Sequence, residues 1–83
     1  MLEADARNTG NPYRDLATAI VLQAVEDYRK DMIRLKAHKD DIDAKNDAER
    51  IEMFFRSEWY EILSPLNGDF LIRELKKELG GAA

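Results

Sequence analysis

From Tyr13 to Leu35 the apolar side chains recur every three or four residues, at Tyr13, Leu16, Ala17, Ile20, Ala24, Tyr28, Met32 and Leu35. Only an α-helix brings residues at that spacing onto one face. A second row, Val21, Val25 and Met32, widens the stripe. Between Ala19 and Val25 the segment is apolar over most of its circumference, and such a helix requires neighbours on more than one side. Asn11-Pro12 supplies its start, with Asn as the N-cap and Pro in the first helical position. The helix is expected to reach about Ala37.

The rest of the chain repeats that period in shorter pieces. Lys39 to Asn46 is polar apart from Ile42 and reads as a connection, with Asp41, Asp43 and Asp47 as candidate N-caps. In a second helix Ala44, Ala48, Ile51, Phe55, Trp59 and either Ile62 or Leu63 share a face. Ser57 stands where that helix is interrupted or a short new one is capped. Ser64-Pro65 ends it, and Asn67-Gly68-Asp69 signals a turn and a cap. Leu71, Ile72, Leu75 and Leu79 then mark a last helix. No run alternates as a strand would. The expected fold is all-α: a small three-helix bundle with a long helix, an interrupted second and a short third. Residues 1–10 are expected to form a loose tail, residues 11–79 the helical domain, and residues 80–83 a frayed end.

At 83 residues and 36% charged, the chain has material for one thin core. It has no cysteine and a single His, which removes thiolate metal sites, cysteine nucleophiles and multi-histidine centres. Catalysis needs converging polar groups in a water-excluding pocket, which so small a domain can hardly build. Ser57 and Ser64 lie at helix ends with no base beside them, and His38 reads as a surface group near a helix C-terminus. No enzyme activity and no cofactor are expected. Asp41, Asp43 and Glu52 match the first, third and twelfth positions of a calcium loop. Lys45 stands at the fifth position and Asn46 where the sharp turn takes Gly, so no metal site is expected. With no apolar run approaching a membrane span and no signal-like start, the chain is expected to be soluble and to stay in the cytoplasm.

Function is therefore sought on the surface. The formal charge is −4, unevenly spread. Arg29, Lys30, Arg34, Lys36 and Lys39 form a basic block, followed by Asp40, Asp41, Asp43, Asp47, Glu49 and Glu52. Helix dipoles favour bases at one helix end and acids at the next start, which accounts for the pattern without any partner. The basic block also suits phosphates, although the negative total and the interleaved acids argue against direct nucleic-acid binding. The acidic block in turn suits the basic channel of a nucleic-acid-binding protein. Phe54, Phe55, Trp59 and Tyr60 cannot all point inward from one helix. Phe55 and Trp59, four apart, are expected in the core, and Phe54, Tyr60 or both at the rim. Rim aromatics beside Arg56 have the composition of a protein-binding hot spot, and packing against the other helices is the alternative. The apolar belt of the first helix leaves self-association through that helix open beside a compact monomer.

Ala19-Ile20-Val21-Leu22-Gln23-Ala24-Val25-Glu26-Asp27-Tyr28-Arg29, Phe54-Phe55-Arg56-Ser57-Glu58-Trp59-Tyr60 and Asn67-Gly68-Asp69-Phe70-Leu71-Ile72 with Leu75 resemble a family of small proteins of Firmicutes prophages and integrative elements. The resemblance runs from Ala17 to Leu79, and Phe-Phe-Arg-Ser-x-Trp is its most specific block. Members often have a more basic connection between the first two helices, where Asp40, Asp41 and Asp43 stand here. The resemblance carries no active site. It implies a phage or mobile-element accessory protein that binds and inhibits or modulates a host protein, a CRISPR effector among the candidates. On that reading the contact residues are Asp40, Asp41, Asp43, Asp47, Glu49, Glu52, Phe54, Arg56 and Tyr60. The alternatives are a nucleic-acid-associated regulator using Arg29, Lys30, Arg34, Lys36 and Lys39, and a dimerising assembly module.

Overall fold

In a computed structural model that describes residues 12–81, the chain is all-α and no strand occurs among those residues. The expected tail and the Asn11 cap lie outside the described residues. Four helices follow one another: α1 Pro12–Ala37, α2 Ile42–Phe55, α3 Glu58–Leu63 and α4 Gly68–Lys76, with a widened last turn over Lys77–Gly81. The count corrects the expectation of three. What reads as one interrupted second helix is two helices, because the break at Arg56 and Ser57 starts a new axis.

Local chemistry sets each boundary. The α1 helix of 26 residues is about 39 Å long at 1.5 Å per residue. Its last turn continues into His38, whose N–H donates to Arg34 O at 2.8 Å. Asp41 caps α2, its carboxylate accepting from the Ala44 N–H at 3.0 Å. The Ser57 hydroxyl accepts from the Tyr60 N–H at 3.1 Å and donates to Phe54 O at 2.6 Å, so one side chain closes α2 and opens α3. Asn67 caps α4 by accepting from the Phe70 N–H at 2.9 Å. At the far end Gly80 has φ +91°, the left-handed conformation in which glycine ends helices.

Packing follows from the α1 stripe. α2 returns along the C-terminal half of α1, and α3 and α4 fold against the pair. The core is Val25, Tyr28, Ala48, Phe55, Tyr60, Ile72 and Leu75, flanked by Val21, Ala24, Met32, Leu35, Ile51, Phe54 and Leu71. Ala44 is also buried. Aromatic rings make up its centre. Phe55 meets Tyr28 at 6.1 Å and Tyr60 at 5.6 Å between centroids, both edge to face, as ring quadrupoles favour. Gly68 sits so close to the end of α2 that a Cβ there would lie 1.8 Å from Phe55 O, so this crossing admits only glycine.

Two aromatic assignments are corrected. Tyr60, offered with Phe54 as a rim residue, is 1% exposed, and Trp59, expected in the core, is 57% exposed. The expectation carried the phase of α2 through Trp59, but the new axis of α3 resets which residues point inward. Leu63 rather than Ile62 turns towards the body; Ile62 is 82% exposed.

Candidate protein-binding groove

The expected acidic surface is divided between the fold and the solvent. Asp40, Asp43 and Glu49 are exposed. Asp41 caps α2 and also pairs with Arg34 at 2.9 Å, and these contacts hold its carboxyl below the usual carboxylate range. Glu52 accepts from the buried Tyr28 hydroxyl at 2.6 Å, with Lys76 at 3.6 Å and Arg56 at 3.7 Å. Burial, then this bond to a carboxylate, pushes the Tyr28 phenol above its ordinary range. Arg56 is anchored to Asp69 at 2.7 Å, which raises its already high pKa. Asp41, Glu52 and Arg56 thus bind within the chain, and the half-buried Phe54 packs on Tyr60 and Trp59. Tyr60, being buried, has no ring face to offer a partner.

The basic block does not converge. Arg29 and Lys36 are seven residues apart and share one side of α1, whereas Lys30 and Arg34 lie on another. Arg29 is fixed by Glu78 at 2.8 Å and 3.1 Å, and Arg34 by Asp41, which leaves Lys30, Lys36 and Lys39 as exposed single charges. Among the described residues no group of three or more acidic, His or Cys side chains is placed to hold a metal, and no helix is long and apolar enough to cross a membrane. The calcium-loop positions Asp41 and Glu52 sit near opposite ends of a helix.

One polar residue has a role its type did not announce. Asp31 is 5% exposed, on the face of α1 that packs on α2. Its Oδ2 has no hydrogen-bond partner. Burial, then a hydrogen bond and the charge of Asp47 across the seam, pushes its carboxyl up to about 7, against the opposing pull of Arg34. The signal was in the spacing: Asp31 lies three residues after Tyr28 and four before Leu35, on the apolar stripe.

The feature best suited to a partner is apolar. Ile20, Gln23, Ala24 and Asp27 of α1, Arg50, Ile51 and Phe54 of α2, and Trp59 of α3 line an open groove of about 310 Å³. Its floor is aliphatic and aromatic. Its polar groups are engaged with neighbours: the Gln23 amide donates to Asp27 at 3.0 Å, and Arg50 leans on Asp47 at 3.7 Å. Towards the N-terminal end of α1 the apolar line continues through Leu16, 60% exposed, and Tyr13, 83% exposed; on α3 it continues through Ile62. Sequence reasoning placed the apolar belt on α1 but put Trp59 inside, and so missed that the two form one surface. Over the described residues the chain is a small all-helical fold with an open, mostly apolar groove between α1, α2 and α3. No protein-family model, curated protein or solved structure matches the chain.

Proposed function

We propose that the protein works by docking a protein partner on the groove between α1, α2 and α3, as a non-enzymatic accessory protein of a phage or mobile element that inhibits or modulates a host protein. The observation that carries the reading is the half-exposed Trp59 beside Ile20, Ala24, Ile51 and Phe54. Large rings at the edge of an apolar pocket, with a neighbouring Arg, are the usual anchors of protein interfaces. A tryptophan left in water costs hydrophobic free energy that only an occupant recovers. The exposed acids Asp40, Asp43 and Glu49 supply a second, electrostatic contact, suited to a partner with a basic nucleic-acid channel. The sequence resemblance points to a CRISPR effector as the class of partner to try first.

The test is interference in a bacterial host that carries an active CRISPR effector. Expression of the native chain restores uptake of a targeted plasmid. Trp59→Ser and Leu16→Glu reduce that effect at least tenfold, and reversal of Asp40, Asp43 and Glu49 to Lys reduces it less. Groove variants that protect the plasmid as well as the native chain does would refute the groove. Native protein without effect would remove CRISPR effectors as the partner class.

A further inference from the structure

Resting on that reading, we infer that in the absence of a host partner the groove is filled by a second copy of this chain, two α1 helices crossing antiparallel about Ile20.

The apolar line on α1 is Tyr13, Leu16, Ile20 and Ala24, at the spacings of a helix–helix seam. An antiparallel pair with its two-fold axis at Ile20 sets Leu16 of each copy opposite Ala24 of the other. A large side chain then meets a small one, and the small one is the floor of the groove. The exposed end of α1, carrying Tyr13 and Leu16, is thus the shape that the groove of the other copy lacks. Trp59 and Ile62 of α3 stand beside the same seam and close over the incoming helix.

Charge selects the same direction. A parallel pair in register would set Asp27 against Asp27. The antiparallel pair sets Asp27 opposite Tyr13 and leaves no carboxylate facing its own copy along the seam. An isologous contact of this kind closes after two copies, so it predicts a dimer and no larger assembly.

The area is sufficient for a modest dimer. Tyr13, Leu16, Trp59 and Ile62 are 83%, 60%, 57% and 82% exposed. With about 200 Å² for a large side chain, they present roughly 560 Å² of mostly apolar surface. A stable interface takes about 800 Å² from each partner, of which roughly 65% is apolar in homodimers. The side chains on this face therefore supply about what one half of a standard interface requires. They do not reach an obligate one, so the pair should dissociate on dilution and yield the groove to a tighter partner.

The chain has no cysteine, so a single introduced thiol reports the geometry. Ile20→Cys lies on the proposed axis and is expected to oxidise to a disulfide-linked dimer at a protein concentration where Ile33→Cys does not. Ile33 is 59% exposed and faces the other side of α1. Sedimentation of the native chain between about 5 and 500 μM should show a monomer–dimer equilibrium, as interfaces of this size have widely varying strengths. Leu16→Glu, at an exposed position, should shift it to monomer with unchanged helicity. A native chain that remains monomeric throughout overturns the inference, as does a Leu16→Glu chain that dimerises like the native one or equal cross-linking by the two cysteine variants. These readouts need no host partner, so their failure leaves the docking function standing, and loss of plasmid protection in the groove variants stands apart from them.

Discussion

Replacing Asp31 by Asn should stabilise the protein above neutral pH and do little below about pH 4. Asp31 is buried on α1 against Asp47 of α2, and its carboxyl is raised from 3.8 to about 7, first by burial and then by Asp47. A carboxyl whose pKa is higher in the folded chain than in the unfolded one binds its proton more tightly when folded. Its favourable contribution is complete below pH 3.8 and is lost as pH rises through about 7. Between those values the unfolded chain is the less protonated, so stability falls with rising pH. A rise from 3.8 to about 7 corresponds to about 4 kcal/mol between the two forms. Asp47, with a side chain 42% exposed, gives water access to the pair, so about 2 kcal/mol is the expected working magnitude. The amide has the shape of the protonated acid and keeps a donor for Asp47 while removing the charge. For a domain this small, about 2 kcal/mol is roughly 8–16 °C in Tm. Thermal unfolding followed by helical circular dichroism at pH 5, 6, 7 and 8 measures it. The difference between the Asp31→Asn and native chains should already be about 40% developed at pH 5 and grow to its full value at pH 8, a comparison that cancels titrations common to both. A difference that stays constant across the range, or a native Tm that rises from pH 6 to pH 8 while the variant stays level, would refute the raised Asp31 carboxyl as the cause.

The two buried tyrosines should separate by chemistry. Tyr28→Phe removes the donor from Glu52 and should cost about 1–2 kcal/mol in urea unfolding. Tyr60→Phe should be neutral or slightly stabilising in the same titration, because the Tyr60 hydroxyl is buried with no hydrogen-bond partner. Gly68→Ala would drive a methyl into Phe55 O and should lower the urea midpoint by more than any cavity-forming change of one methyl group, with α4 exchanging its amide hydrogens early. Ser57→Ala removes the cap of α3 and the hydroxyl bond to Phe54 O; a loss of about 1–2 kcal/mol is expected, and a smaller blue shift of the Trp59 emission would show α3 loosened.

Periodicity and caps carry most of what the sequence discloses about this fold, because both are local. Tyr28, Val25 and Leu35 turn to the core by spacing alone, and Asp41, Ser57 and Asn67 cap helices by hydrogen bonds to groups three residues away. Period fails where the axis changes. Two residues between α2 and α3 suffice to exchange Trp59 and Tyr60, and only the angle of α3 against α1, a tertiary quantity, decides which ring is wet. Residue type fails where partners are distant. Six acids from Asp40 to Glu52 look alike in sequence, yet Glu52 lies under a phenol supplied 24 residues earlier and Asp41 under the guanidinium of Arg34, while Asp40, Asp43 and Glu49 face water. The groove combines both difficulties. Ile20 and Ala24 were legible as apolar positions on α1, but their being open on one side depends on where α2 stops and α3 turns. Ser57 makes that turn through two hydrogen bonds to its own neighbours, and in doing so it exposes the one tryptophan of the chain. The open side of the groove therefore hangs on a local cap, and a chain with a continuous helix through residue 57 would keep the core period and lose the surface on which the proposed docking rests.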